Sequence, residues 1–402
     1  MTDSAKMTVT LTEPVAVVRH LRNDFRQESY DHIPGTAVRG ALAEQWLLVH
    51  GDPDGDFLEI FEGDGVFGPL HSAASLPVPL SVKVHKYRAD DDCRVLWWDA
   101  IREEVDVCQY CKQTLEFSKG GPVGKVRRTP RTRNALDVEG NARSGNLFNQ
   151  SSIAAGNVFE GWLSGSALRS LRIDGEPART LSLGGKRTVQ GNAEVTIDFG
   201  AEPEPVELVG KDVILRLAAP GIFVDKLGLP AAEPDPDELS DVLGVEIAPV
   251  EGPWVRWTEV GGWHLASGLP KPTERAIQAG STYRVRCAER PSEAALRALM
   301  VRGVGLRRRE GFGALCRPVA PLSFYEWGGV LARLRIDMAT VERTLPQLHE
   351  RTRELRSGIE NDAPFQDQLA RDDQYSIALR KLLDVTDPVL YGRLVKRLES
   401  GK

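Results

Sequence analysis

The sequence predicts an α+β protein built from two related units, and three observations carry that prediction. Gly303 to Gly313, GVGLRRREGFG, packs four glycines and three consecutive arginines into eleven residues. Ser292 can cap a helix over 293–301 ahead of it, and a strand-like GFGALCRPVA follows, so the order is helix, glycine loop, strand, the closing half of a βαββαβ unit. The same order occurs earlier: strand-like NVFEGWL, a short helix capped by Ser166 and ending at Leu171, the loop Leu183-Gly184-Gly185-Lys186-Arg187, then strand-like EVTIDFG. Recurrence is worth more than either loop alone, because a chance loop has no reason to reappear at the same place. The third observation is the Pro and acid linker EPEPVE at 202–207, which separates the copies.

Length and composition agree with two or three packed domains. At 402 residues the chain exceeds the roughly 250 that one core supports. Its 41% hydrophobic and 27% charged content excludes wholesale disorder. A formal charge of -6 argues against a sequence-blind duplex binder, although local basic patches can still hold nucleic acid. There is no apolar signal core near the start and no run of roughly 20 apolar residues, so a cytoplasmic protein without membrane contact is expected. Five cysteines, an odd number with one close pair, fit metal ligands in a reducing compartment better than a disulfide framework.

Taken in order, 7–18 alternates and is rich in Val and Thr, as a strand is. His32-Ile33-Pro34-Gly35-Thr36 turns into a helix over 37–49, with Thr36 as its cap and Gly51 as its stop. Free N–H groups at that start, with Arg39 in the first turn, suit an anion as well as a cap. From about 82 to 134 the composition changes and reads as an insertion. Cys108-Gln109-Tyr110-Cys111 has the spacing of a zinc knuckle; Cys93 and His85 lie upstream as the third ligand and a guess at the fourth. Structural zinc would staple a loop too small for a core. Next comes a basic stretch without acids, with Lys125, Arg127, Arg128, Arg131 and Arg133. A one-sign run in an acidic protein points to a polyanion. The second unit opens with VILRLA, carries a Pro and acid loop near 230–238, and returns through STYRVR. After Phe324 the pattern turns helical, which predicts a helical tail over 328–402 as a lid or docking element.

With IPGTAVRGALA after the first strand, LFNQSSIAAGNVFEGWL before the second helix, and GVGLRRREGFGAL at the end, the chain resembles the RAMP superfamily of CRISPR-associated proteins. Within it, the chain is similar to the two-RAMP-domain subunit of type III-D effector modules, which also carries a Cys-x-x-Cys insertion and counterparts of Gly268 to Pro272 and Ala279 to Tyr283. The resemblance implies tandem ferredoxin-like, RRM-like RAMP domains at 1–202 (insertion at about 82–134) and 211–327. It also implies a place in a ribonucleoprotein of antiviral defence that holds a CRISPR RNA (crRNA) at its 5′ repeat-derived tag. Partners would be RAMP backbone and large effector subunits, with target RNA met indirectly. The first glycine loop departs from the superfamily in lacking an aromatic between its last glycines.

RNA is held through phosphates, 2′-hydroxyls and stacked bases, which calls for basic glycine loops and nearby aromatics. The candidate RNA-binding set is therefore Thr36, Arg39, Lys125, Arg127, Arg128, Arg131, Arg133, Lys186, Arg187, Gly303, Gly305, Arg307, Arg308, Arg309, Gly311, Phe312 and Gly313. A non-enzymatic scaffold is the leading reading. Two alternatives are ribonucleases: target cleavage through Asp24 or Asp31, ahead of the IPG turn, and precursor processing through a histidine such as His20 or His32.

Overall fold

The structure is a computed structural model that describes residues 4–17, 26–72, 74–87, 97–102, 104–108, 111–124, 126–136, 142–173, 175–185, 190–264 and 269–317. Cys93, Asp24, His20, Lys125, Lys186, Arg187 and the predicted tail at 328–402 lie outside the described residues. The chain forms two compact units. The first takes 1–72 and 128–317, and the described part of the second lies within 73–127.

The first unit holds two sheets of one design. In the first sheet the strands run Thr180–Ser182, Asn192–Asp198, Ser4–Leu11, Val158–Ser164, Val66–Phe67, each pair antiparallel. Alternation in Ser4–Leu11 decides which face is covered: Ala5, Met7, Val9 and Leu11 are buried, while Lys6, Thr8 and Thr10 face outward. Helices α1 (Gly35–His50) and α2 (Gly55–Glu62) and the 3-10 helix Gly165–Leu171 accompany this sheet. If Ser4–Leu11, Val66–Phe67, Val158–Ser164 and Asn192–Asp198 are numbered along the chain, their order across the sheet is 4-1-3-2.

The second sheet runs Glu207–Val209, Asp212–Arg216, Thr282–Val285, Glu251–Trp254, with α3 (Pro236–Leu243) and α4 (Glu293–Arg302) beside it. Counted from Asp212–Arg216, its strands repeat the 1-3-2 part of that order. The fourth place is taken by Leu315, which bridges Leu217, with Ala218 N donating to Ala314 O at 2.7 Å and Cys316 N to Arg216 O at 3.0 Å. Within 311–317, the described part of the expected strand GFGALCRPVA, the pairing is thus reduced to a bridge. Glu207–Val209 already pairs along the edge of Asp212–Arg216, leaving only its far end open. Val213, Leu215, Leu217, Tyr283, Val285, Leu296 and Leu299 form the core here. Each such side chain contributes roughly 1.5–3 kcal/mol by leaving water. Tyr283 keeps its hydroxyl satisfied by donating to Ala232 O at 2.6 Å.

In both halves a hairpin separates the second and third strands. The later one pairs Trp257–His264 with Leu269–Ile277. The earlier pairs Arg128–Leu136 with Ala142–Ile153, and Arg26–Glu28 adds to the latter in parallel.

Two caps differ from the sequence expectation. α1 begins at Gly35 with no side-chain cap, because its N-cap residue, Pro34, has no side-chain acceptor; Pro34 O accepts from Ala37 and Val38 N, and Thr36 sits exposed within the first turn. Ser166 does not cap its helix; its Oγ accepts from Gly65 N at 2.9 Å. Ser292 does cap α4, accepting from Ala295 N at 3.1 Å. Among the described residues no helix is long and apolar enough to cross a membrane.

Described by itself, the second unit is a three-stranded antiparallel sheet in the order Trp97–Asp99, Val82–His85, Leu115–Phe117. Its apolar centre is small, with Cys108 and Leu115 buried and Trp98, Val105 and Cys111 packed against them. Lys83, only 3% exposed, is held by Asp106 at 2.8 Å and Glu104 at 3.4 Å and lies over the Phe117 ring. A core of this size needs a staple.

Candidate nucleic-acid interface and metal centre

The glycine-rich segment folds as a closed loop. Val304 N donates to Gly313 O at 3.0 Å, Gly313 N to Pro220 O at 2.8 Å, and Leu306 N to Ile222 O at 2.9 Å. Gly303, Gly305, Gly311 and Gly313 all have positive φ. At Gly313 the need is steric as well, since a Cβ there would stand 1.7 Å from Val304 O. Arg307 takes the left-handed region at φ 55 without being glycine, held by what its side chain grips.

That grip is on acids of this same chain. Arg307 donates to Glu310 at 3.0 and 2.8 Å and to Glu274 at 3.1 Å, and lies over the Phe312 ring at 4.7 Å. Lys271 Nζ reaches Glu310 at 2.6 Å. Burial alone would raise the Glu310 carboxyl, yet the hydrogen bonds from Arg307 and Lys271 hold it down at about 2. Arg308 pairs with Glu238, which also takes Arg302 at 3.1 Å. Arg302 is lowered, first by burial and then by the Arg308 charge. Arg309 donates to Glu62 O at 2.9 Å, and Arg39 donates to Phe61 O at 2.9 Å and pairs with Glu62. The start of α1, which suited an anion on sequence grounds, instead carries the backbone of Gly311 against Gly35. The arginines expected to meet phosphate therefore have matched charges in the chain by itself, and the loop ties the two sheets together.

The basic strand behaves differently. Arg128 donates to Ser29 O at 2.8 Å, to Asp31 at 2.6 Å and to Ser151 Oγ at 3.4 Å, fixing the segment ahead of the IPG turn. Arg131 is exposed and makes a long 3.4 Å contact with Gln190. Arg127 is half-buried, and the side chain of Arg133 lies outside the described residues. His32 stacks on His71 with ring centroids 4.5 Å apart, and Tyr30 lies 5.2 Å from His32.

In the second unit, ligand atoms of His85, Cys108 and Cys111 lie within 4.8 Å of one another, with His85 Nε2 3.2 Å from Cys111 Sγ. Strand pairing sets this: His85 is in register with Leu115, and Cys108 N donates to Gln113 O at 2.9 Å. Lys112 at φ 57 then turns the chain so that both thiols face the imidazole. One nitrogen and two sulfurs at such spacings fit tetrahedral zinc, whose ligand atoms stand roughly 3.5 Å apart.

Sequence reasoning missed the acids Glu62, Glu238 and Glu274, and His71. Glu310 was in plain view inside RRREGFG, three residues after Arg307, a spacing at which opposite charges meet.

Residues 126–316 match a family model described as CRISPR-associated protein (Cas_Cmr3). The match spans just under half of the chain and agrees with the likeness to CRISPR-associated proteins drawn from the motifs. Among curated proteins no match is found. Similar solved structures include a chain of a type III-B Cmr-beta complex bound to cognate target RNA and AMPPnP, at 12% identity and TM-score 0.39, covering 69% of this chain and 86% of that one. A second is a chain of a Csm3-Csm4 subcomplex from a type III-A interference complex, at 11% identity and TM-score 0.33, covering 71% and 94%. A third is the product of a Cas6-related gene from Pyrococcus furiosus, at 9% identity and TM-score 0.32, covering 78% and 98%. Overlays this loose carry no argument about function.

Proposed function

We propose that this chain is a structural, RNA-binding subunit of a type III, III-D-like CRISPR effector, holding the crRNA at its 5′ tag beside RAMP backbone and large subunits. The observation that carries the reading is the family match over 126–316, which takes in the basic strand, both hairpins and the glycine-rich loop. The repeated strand order supports two ferredoxin-like RAMP domains, at 1–202 and 211–327, with 82–134 as an insertion stapled by zinc. His85, Cys108 and Cys111 would hold that zinc, which would give the insertion the rigidity its small core lacks.

RNA phosphate meets Arg131 and its neighbours on the basic strand first, since Arg307, Arg308 and Arg309 are occupied by acids. Asp31 is likewise committed to Arg128, which favours holding RNA over cutting it. The test is co-expression with the genomic neighbours, purification through this subunit, and sequencing of the RNA that follows. Short repeat-tagged RNAs are expected. RNA without repeat sequence would leave a general RNA-binding protein.

A further inference from the structure

The hairpin of Trp257–His264 and Leu269–Ile277 has two edges of opposite character. Ile277 N donates to Gly221 O at 2.7 Å, and Ile277 O accepts from Gly221 N at 2.9 Å. Its backbone groups thus point away from its cross-strand neighbour Trp257, and Trp257 in turn aims its own N–H and C=O away from the hairpin. The direction alternates along the strand, with Gln278 N donating to Arg256 O at 2.8 Å in the same phase. Trp257, Glu259 and Gly261 therefore present their backbone groups to the outer edge, while Thr258 and Val260 bond across the hairpin. All three outward residues are exposed, and among the described residues this edge pairs with no other strand.

The opposite edge is guarded. Pro270 and Pro272 carry no N–H, Gly221 covers the base at Ile277, and Lys271 and Glu274 are held by Glu310 and Arg307. The register slips between Val260↔Glu274 and Gly262↔Lys271, which leaves a bulge on the Leu269–Ile277 side. Prolines, charges and bulges are the means by which proteins keep edge strands from pairing. Trp257–His264, WTEVGGWH, has none of these: it is 8 residues long, without Pro, Lys or Arg, and its one formal charge is Glu259.

A strand that adds to this edge must offer outward backbone groups in matching phase, and a second copy of the same strand does. With an antiparallel partner and a twofold axis at Val260, Glu259 meets the second copy's Gly261, Thr258 meets Gly262 and Val260 meets itself. Outward residues then face outward residues, and no charge faces a like charge. Gly261 leaves room for the side chain opposite, since only Thr273 Oγ1, at 3.9 Å, comes within 4 Å of a Cβ built there.

We propose that the outer edge of Trp257–His264 is a homodimer interface, in which two copies of this chain join their hairpins into one antiparallel sheet about a twofold axis at Val260. The contact is isologous, so assembly stops at two. One strand pair is a small interface, and the dimer dissociates on dilution.

The experiment is sedimentation of the full chain over about 1 to 100 µM, a range that suits an interface of this size, with thermal midpoints alongside. The mass is expected to climb from the 44.2 kDa of one chain towards twice that value. Glu259→Pro removes an outward N–H and no bond of the hairpin, so it should stay monomeric with its thermal midpoint kept. Gly261→Lys and Gly261→Glu cost the strand alike but set opposite charges against the second copy's Glu259. Gly261→Lys should dimerise about ten-fold more tightly than Gly261→Glu, because the twofold axis makes each charge pair twice. A wild type that stays monomeric throughout overturns the proposal and leaves the edge to a strand of another protein. Dimerisation that survives Glu259→Pro, or equal dissociation constants for the two Gly261 variants, overturns it as well, by placing the contact elsewhere.

Discussion

Gly311 lies backbone to backbone against Gly35, so close that a Cβ on Gly35 would stand 2.7 Å from Gly311 Cα and 2.1 Å from Phe67 O. The contact seats the glycine-rich loop of the second sheet on the first turn of α1. Gly35→Ala is therefore expected to destabilise the protein by about 2 kcal/mol or more, as overpacking and strain do. Gly40, in the same helix with nothing within 4 Å of its would-be Cβ, is the control. Gly40→Ala should stabilise by up to about 1 kcal/mol. Urea midpoints of the two variants check this, and equal midpoints would mean the loop does not rest on α1 in solution.

Purified protein should carry about one zinc per chain, since structural sites are normally full. Cys108→Ser and His85→Ala should each lose it in metal analysis. Chelation should make the 73–127 unit the first place cut by protease. Less than half an equivalent of metal in the wild type would remove the site.

Glu310 gives a pH dependence with a definite sign. Its folded carboxyl titrates at about 2, below the roughly 4.3 of an unfolded glutamate. The folded state therefore favours the ionised form. That contribution is present above the unfolded value and is lost as pH falls through the folded one. Between about pH 4.5 and 2.5 the wild type should lose more stability than Glu310→Gln, read as the difference between their urea midpoints at the two pH values. Parallel losses would show that the Lys271–Glu310–Arg307 cluster does not form.

Arg307 and Arg131 should separate folding from binding. Arg307→Ala strips the buried Glu310 of one cation and should cost roughly 3 kcal/mol of stability. Arg131→Ala should leave the thermal midpoint alone and lower the salt slope of RNA binding by about 1, one phosphate's worth. A salt slope that drops for Arg307→Ala in a fully folded variant would return phosphate contact to the glycine loop.

Asp31→Asn in the assembled complex should leave every cleavage product in place, because Arg128 already claims that carboxylate at 2.6 Å. Gel analysis of target RNA provides the check. Loss of a single product with RNA still retained would falsify the scaffold reading.

Local chemistry made much of this protein legible in the sequence. Alternation over 7–18 pointed to the strand that the structure sets at Ser4–Leu11, NVFEGWL was readable as Val158–Ser164, Ser292 announced α4, and the Cys108–Cys111 spacing announced a turn whose thiols the structure sets beside His85. Each of these is decided within a few residues, by side-chain period, cap geometry or turn length. The sequence also showed three adjacent arginines, but not what they face. Glu62, Glu238 and Glu274 are 247, 70 and 33 positions away from their partners. Glu62 reaches Arg309 only because the second sheet's loop docks on the first, while Glu238 and Glu274 are brought to Arg308 and Arg307 by the packing of α3 and of the Trp257–His264/Leu269–Ile277 hairpin around that loop.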